Sequence, residues 1–193
     1  MVIYCIFEVA LNNETLGGFK IDDLLHILTD PEKDDGIFMP KINLFFSIAM
    51  RRPEIQSLQE IFPDLISSCP NNDLDEMLYS LSEFSEKSSS FFRPYLGALV
   101  QRLCEIATNT TVSNSVRNKS ILCLVSIAEG SPEMCQNEPN YYVPVFETLI
   151  KVSSEINENS PWEYDMNNTS PYQTALDSID ALVEIIESKD IFS

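Results

Sequence analysis

A pair of segments that recurs along the chain limits the fold of this sequence more than any other feature. Leu81-Ser82-Glu83-Phe84-Ser85-Glu86 aligns with Leu124-Val125-Ser126-Ile127-Ala128-Glu129 at a separation of 43 residues. The segments that follow them align through Pro94-Tyr95-Leu96 and Pro144-Val145-Phe146, at a separation of 50 residues. Pro63-Asp64-Leu65 fits the same series. Because the correspondence extends over both segments, the repeating unit is the pair and not either segment alone.

The apolar residues of these segments follow the spacing of an α-helix. Leu96, Leu99, Leu103 and Ile106 form one stripe at steps of three and four residues, and no segment alternates convincingly at period two. A repeat of roughly 40 to 50 residues that contains two helices is typical of HEAT repeats. In such repeats each helix pair buries its apolar face only by stacking on the neighbouring pairs. We therefore predict an all-α fold, a right-handed HEAT-repeat superhelix (α-α superhelix) of about four repeats.

The predicted elements cover most of the chain. Helices are expected near residues 22–29, 40–51, 54–69, 73–87, 91–107, 113–130, 138–156 and 170–188. Ser160–Glu163 and Ser170–Gln173 each combine a serine N-cap, a proline at the first helical position and Glu or Gln at the third, which is a capping box. Residues 1–193 form one HEAT-repeat segment, with repeats at about 20–69, 73–107 and 113–156, an insert at 157–169 and a partial repeat at 170–193.

The repeat pattern also predicts which side chains are buried. We expect the core between helix pairs to contain Leu78, Leu81, Leu99, Leu103, Leu122, Val125, Leu149 and Ile179. The last helix has no following partner before Ser193, so an apolar face around Ile179, Leu182 and Ile186 is expected to be exposed. Terminal repeats normally carry a polar capping face. We interpret the chain as an internal segment of a longer array that tends to self-associate.

Catalytic and metal-binding constellations are missing from the sequence. The single histidine, His26, lies in an apolar stretch, and neither an H-E-x-x-H motif nor a multi-histidine metal site is possible. Glycine-rich phosphate loops are absent, since Gly17-Gly18 is the only glycine cluster. The five cysteines form no C-x-x-C pair, and most lie among apolar neighbours, as reduced core residues of an intracellular protein do. We predict no enzyme activity, no cofactor and no metal.

The charge of the chain restricts its partners. Thirty acidic and 12 basic side chains give a formal charge of −18. Nucleic acids and anionic membrane surfaces both require a basic footprint, so we expect neither as a partner. A basic protein or peptide is the partner class that this charge permits, although the charge also serves solubility alone.

Two acidic surfaces are candidates for such a partner. The first is the polar face of the second helix in each repeat, which carries Gln101 and Glu105 in one repeat and Glu147, Lys151 and Glu155 in the next. The second is the insert, where the only tryptophan of the chain lies among carboxylates: Glu158, Trp162, Glu163 and Asp165. An aromatic ring among carboxylates suits a cationic ligand, although a tryptophan that packs back onto the repeat explains the same pattern.

Three motifs in order resemble those of importin-beta-type nuclear transport receptors. Leu81-Ser82-Glu83-Phe84-Ser85-Glu86 and Phe91-Phe92-Arg93-Pro94-Tyr95-Leu96 resemble the family's "L-x-E-I-A-E … F-x-R-P-x-L" stretch. Leu124–Cys135 resembles the next repeat of the branch called karyopherin beta three or importin five. Pro161-Trp162-Glu163-Tyr164-Asp165 is similar to that branch's acidic insert. The resemblance extends from about Ile61 to Glu184.

The resemblance implies a nuclear import receptor that shuttles between cytoplasm and nucleus. Such a receptor binds basic localisation signals of cargo and contacts nucleoporins as it moves through the nuclear pore. It releases cargo when Ran-GTP binds. By the same resemblance, the contact residues for cargo or Ran are Glu105, Glu147, Glu155, Glu158, Trp162, Glu163 and Asp165. Asparagines at positions 157, 159, 167 and 168 make the insert less acidic than the family's. The alternative is a HEAT-repeat scaffold subunit of a phosphatase, a kinase or another assembly.

Overall fold

The computed structural model describes residues 28, 38–51, 53, 56–155 and 170–190. These residues form helices and connecting turns, with no strand among them, so the predicted all-helical repeat fold is confirmed for this part of the chain. The elements, in chain order, are α1 (Phe38–Arg51), α2 (Gln56–Ser67), α3 (Leu74–Ser88), a 3₁₀ helix (Ser89–Tyr95), α4 (Leu96–Thr108), α5 (Asn114–Gly130), α6 (Pro132–Asn137), α7 (Tyr142–Ser153) and α8 (Pro171–Asp190).

The chain separates into two compact units, residues 1–80 and 81–193, and the division falls within α3. In the first unit, α1 packs against α2 through aromatic rings. The ring of Phe45 lies 5.7 Å from that of Phe62 in a stacked arrangement and 5.5 Å from that of Phe46 edge to face. Both distances fall in the favourable range for aromatic pairs. Of the helix expected at 22–29, only Leu28 is described, and it is helical and buried.

The second unit has the packing order of stacked helix pairs. Helix α4 contacts α5 and α7, and α8 contacts α5 and α7. Helix α5 begins after Ser113, whose side-chain oxygen accepts a hydrogen bond from the backbone N–H of Val116, as an N-cap residue does. Because α5 packs against α4, α6 and α8, most of its circumference is buried. Each helix pair therefore buries its apolar face against the next pair, as the repeat pattern predicts.

Most of the predicted core residues are buried. Leu78, Leu81, Leu99, Leu103, Val125 and Leu149 are each 7% exposed or less. Leu122 was predicted wrongly, since 49% of its surface is exposed. It lies seven residues from Ser115 and from Glu129, which are exposed too, so all three share one stripe of α5 at a spacing of about two helical turns. Ile179 is half-buried.

Local details at helix ends also differ from the sequence prediction. The segment expected as one helix at 91–107 begins as a 3₁₀ helix that contains Pro94, which has no backbone N–H to donate. A short helix, α6, precedes α7 and was not predicted. Helix α8 begins at Pro171 as expected, but the side-chain amide of Gln173 donates to the Asp177 carboxylate at 2.8 Å and not back toward Ser170. The other predicted capping box, at 160–163, lies outside the described residues.

Helices α3 and α5 approach closely where α5 ends. A Cβ atom added at Gly130 would lie 2.5 Å from the backbone oxygen of Ser85 and 2.7 Å from the hydroxyl of Ser89. Both serines are buried, and the Ser85 hydroxyl donates to the carbonyl of Leu81 at 2.7 Å. The backbone of α3 cannot move without disturbing this packing. Position 130 therefore has no room for a side chain and requires glycine.

Gly130→Ala should therefore destabilise the protein by about 1–3 kcal/mol, the usual cost of overpacking. The matched control is Gly97→Ala, because a Cβ at that position would meet only the Glu138 carboxylate, at 4.0 Å. Alanine is favoured over glycine in a helix, so this control should be neutral or stabilising by up to about 1 kcal/mol. The midpoint of urea unfolding measures both changes. Equal midpoints for Gly130→Ala and the wild type would contradict the close approach.

Candidate functional site

A groove runs between α4 and α7 in the second unit. Its volume is about 670 Å³. One wall comes from α4 and the other from α7 and the turn before it. The wall on α4 is formed by Gly97, Val100, Gln101, Cys104, Glu105 and Thr108. The opposite wall is formed by Asn140, Pro144, Glu147, Thr148 and Lys151.

Helical spacing explains why these side chains line one groove. The residues of each wall recur at steps of three and four, so each set lies along one side of its helix. The apolar residues of α4 at adjacent angles, Leu99, Leu103 and Ile106, are buried against the rest of the unit. The side of α4 that meets the groove is therefore more polar than its packed side, which carries Leu99, Leu103 and Ile106.

The floor of the groove is mostly apolar and its rim is polar. Val100 and Thr148 are 1% and 8% exposed. The half-buried thiol of Cys104 donates to the carbonyl of Pro144 at 3.8 Å, which joins the two walls. Burial raises the pKa of this thiol, while a hydrogen bond with the Thr148 side chain lowers it. At pH 7 the Cys104 side chain is thus neutral, and the floor can accept the aliphatic part of a side chain.

The rim carries more negative than positive charge. Glu105 and Glu147 are exposed on opposite walls, and Lys151 is the basic residue among the lining side chains. The Glu105 carboxylate accepts a hydrogen bond from the Gln101 amide at 3.1 Å and pairs with Arg102 at 3.5 Å. These are exposed contacts within one helix, worth only a few tenths of a kcal/mol each, so an incoming cation can compete with them. The groove can hold a basic, partly aliphatic side chain.

The structure therefore brings together two of the residues predicted to bind a partner, Glu105 and Glu147. It gives the carboxylate of Glu155 a different neighbour, the guanidinium of Arg117, at 2.6 Å. Glu158, Trp162, Glu163 and Asp165 lie outside the described residues, and their role stays a prediction.

Arg117 was not recognised from the sequence as an important residue. It is 5% exposed, and its Nε atom donates to the carbonyl of Ala107 at 2.8 Å while Nη2 contacts Glu155. Ala107 lies in the last turn of α4, where carbonyl groups lack partners within the helix. One guanidinium thus joins the end of α4, the start of α5 and the residues that follow α7. In the sequence, an arginine in a helix with both polar and apolar residues resembles a surface residue. Only the packing of the helices shows that Arg117 is buried.

Tyr141 is a second residue whose role only the packing shows. It is fully buried, and its hydroxyl donates to the carbonyl of Leu124 in the middle of α5. Burial raises the pKa of Tyr141 well above its usual value, and burial together with nearby Cys135 raises that of Tyr142 to about 12. Burial also raises the pKa of Cys135 to about 12. This cluster stays neutral at physiological pH and fixes the start of α7 against α5.

Other kinds of site find no support in the part of the chain that the structure describes. There, no group of three or more His, Cys, Asp and Glu side chains could hold a metal ion. Among the same residues, no helix has the length and apolar character needed to cross a membrane. His26 and the Gly17-Gly18 pair lie outside the described residues.

The Arg117–Glu155 pair yields a stability prediction. Glu155→Gln leaves the buried guanidinium of Arg117 without its counter-charge. Because the Glu155 side chain is 32% exposed, we expect the free energy of unfolding to fall by about 1–3 kcal/mol, which is less than the full cost of breaking a buried pair. Glu147→Gln, on the exposed rim, is the matched control and should change stability by less than about 0.5 kcal/mol. Urea unfolding measures both. If the two variants unfold at the same urea concentration, the pair does not hold the helices together.

A comparison with protein families identifies part of this unit. Residues 109–186 match the family model described as Importin repeat. The match covers less than half of the 193-residue chain, and it includes α5, α6, α7 and most of α8. It supports membership of the importin-beta family and a helical repeat protein of the nuclear transport receptor type.

Proposed function

We propose that this chain is part of a nuclear import receptor, closest to the karyopherin beta three or importin five branch, and that it binds basic localisation signals of cargo in the groove between α4 and α7. The match to the Importin repeat supports the receptor class. The observation that carries the binding proposal is the placement of Glu105 and Glu147 on opposite walls above an apolar floor. The protein acts by reversible binding and not by catalysis.

The groove suits a lysine- or arginine-rich segment for two physical reasons. A long basic side chain can lay its aliphatic stem on Val100 and Pro144 while its charged end stays near the rim carboxylates. Each exposed ion pair contributes about 0–1 kcal/mol, so a single contact is weak and the segment must engage several at once. The partner is therefore an extended chain with repeated basic residues.

The insert forms the second part of the proposed cargo or Ran contact. It contributes Glu158, Trp162, Glu163 and Asp165, as the resemblance to the family implies. Glu155 is assigned a structural role instead, because its carboxylate accepts a charged hydrogen bond from Arg117. Binding of Ran-GTP releases the cargo, and the receptor shuttles between cytoplasm and nucleus through contacts with nucleoporins.

The first test of the groove is the titration of a lysine-rich signal peptide into the wild type and a Glu105→Gln, Glu147→Gln variant. We expect the affinity to fall about 3- to 30-fold, which corresponds to two exposed ion pairs. The matched control is Glu83→Gln, Glu129→Gln, which removes two exposed acids from α3 and α5 and changes the net charge equally. Higher salt should weaken binding to the wild type, because exposed charges are screened within about 8 Å at physiological ionic strength.

Cys104 offers an independent readout of groove occupancy. Its thiol is half-buried on the groove wall, whereas Cys123 and Cys135 are fully buried and have their pKa values raised to about 12 by burial. Alkylation of the native protein, located by mass spectrometry, should modify Cys104 faster than the two buried cysteines. Saturating peptide should protect Cys104. Unchanged alkylation of Cys104 at saturation, together with equal affinity of the two double variants, would place the peptide elsewhere.

For the insert we expect Trp162→Ala to lose more affinity than any single Glu→Gln change. An aromatic anchor that loses its water at an interface can contribute about 2 kcal/mol or more, compared with less than about 1 kcal/mol for an exposed ion pair. The same peptide titration measures the change. If Trp162→Ala and a combined Glu163→Gln, Asp165→Asn variant both bind like the wild type, the insert is not part of the site.

A capture experiment with the full-length protein tests the receptor class. Basic cargo should be retained on the immobilised protein and released by Ran loaded with GTP, but not by Ran loaded with GDP. Retention that GTP-loaded Ran does not change would instead support the scaffold alternative.

A further inference from the structure

The groove has a direction, because its two helices run parallel to each other. The thiol of Cys104 in α4 is joined to the carbonyl of Pro144 in α7. Seven residues earlier in α4, a Cβ atom added at Gly97 would lie 4.0 Å from the carboxylate of Glu138, which precedes α7. Earlier residues of one wall thus lie beside earlier residues of the other. Both helices therefore have their carboxyl ends at the same end of the groove.

The charge of the lining residues changes sign along this direction. Glu105 is next to Cys104 in α4, and Glu147 is next to Thr148, whose side chain hydrogen bonds to Cys104. The two glutamates therefore lie at about the same height in the groove. Lys151 lies four residues after Glu147, which is one helical turn or about 6 Å further along α7. The two carboxylates come first, and the ammonium group comes one turn later.

The lining residues nearest the carboxyl ends of α4 and α7 are Thr108 and Lys151, and we call them the basic end of the groove. Lys151 is exposed in the last turn of α7. The carboxylate one turn beyond it, that of Glu155, is held by Arg117 at 2.6 Å. Within the described part of the chain, the ion pairs of this unit are made by arginines and none involves Lys151. The Lys151 ammonium group is therefore available to a ligand.

The distance between the acidic and basic positions matches the spacing of an extended peptide. Residues two positions apart in an extended chain lie on the same side, about 6.6 Å from each other. Glu147 and Lys151 are separated by about 6 Å along the helix axis. When a basic side chain of the ligand lies at Glu147, the side chain two positions away therefore lies at Lys151. An Asp or Glu there is attracted, and a second Lys or Arg is repelled.

We propose that the groove selects a signal in which an acidic residue lies two positions from a lysine or arginine. The basic side chain of the signal lies at Glu105 and Glu147, and the acidic side chain lies at Lys151. This specificity rests on the proposed function of the groove and defines the ligand of the same site more closely. Lys151 is its specificity-determining residue, and a segment of mixed charge binds here more tightly than a uniformly basic one.

The test uses peptides that share one lysine-rich segment, kept extended by prolines, and differ at a single variable position. In one set that position lies two residues after the last lysine, and in a second set two residues before the first lysine, because the ligand can run in either direction. The variable residue is Glu, Gln or Lys. In at least one set the Glu peptide should bind about 2- to 5-fold more tightly than the Gln peptide, and the Lys peptide about 2- to 5-fold more weakly.

This order is opposite to the one that overall charge predicts, since the chain carries a charge of −18 and attracts the most basic peptide most strongly. If the Gln peptides bind but the Glu peptide is no tighter in either set, the specificity is wrong and the proposed function stands. If none of the peptides binds, both fail.

Substitution of Lys151 identifies the residue that sets the preference. In Lys151→Gln the order should follow overall charge, with the Lys peptide tightest, and Lys151→Glu should enlarge that difference. The matched control is Lys87→Gln, because Lys87 is exposed in the last turn of α3 as Lys151 is in the last turn of α7. The control removes the same charge and should leave the wild-type order unchanged. A preference for the Glu peptide that persists in Lys151→Gln would overturn the proposal.

Zero-length coupling of carboxylates to amines with a carbodiimide needs no substitution. Applied to the wild-type protein with the tighter Glu peptide, it should join the peptide glutamate to Lys151 and a peptide lysine to Glu105 or Glu147, as mass spectrometry shows. Coupling of the peptide lysines to these glutamates, with the peptide glutamate joined only to lysines other than Lys151, would confirm the groove and overturn the assignment of Lys151.

Discussion

The buried guanidinium of Arg117 is the interaction on which the arrangement of the second unit depends. It holds a carbonyl at the end of α4 and a carboxylate after the end of α7, while its own backbone lies at the start of α5. A buried charge is costly unless all of its partners are in place. Any shift of α4 against α7 would break one of these contacts. The two walls of the groove are therefore fixed relative to each other at one end, and Tyr141 fixes α7 against α5 at the other.

This rigidity explains how a helical repeat can present a binding site without special catalytic residues. Stacking buries one side of each helix and leaves the polar side as the wall of a groove. Glu105 and Glu147 then line the same groove because each lies on the polar side of its helix, not because a loop places them. Individual exposed charges bind weakly, so such a groove favours long ligands that engage several repeats.

Part of the candidate site could be predicted from the sequence, and part could not. The polar positions Glu105 and Glu147 follow from helical periodicity, which is a local property. Glu155 has the same periodicity, but a basic residue 38 positions away in the sequence holds its carboxylate. Leu122 is as apolar as a core residue, yet it falls on an exposed stripe of α5.

The sequence by itself determined the helices and their repetition, because apolar spacing, N-caps and prolines act through neighbours a few residues apart. The all-helical class, most of the buried leucines and the acidic character of the exposed faces all follow from such local patterns. Only the tertiary structure decided that Glu155 is paired with Arg117 of α5, that Glu105 and Glu147 line one groove, and that Gly130 must remain glycine. These outcomes depend on contacts between helices that are distant in the chain. The geometry of such contacts is set by how the helices pack against one another, and a local pattern of residues does not contain it.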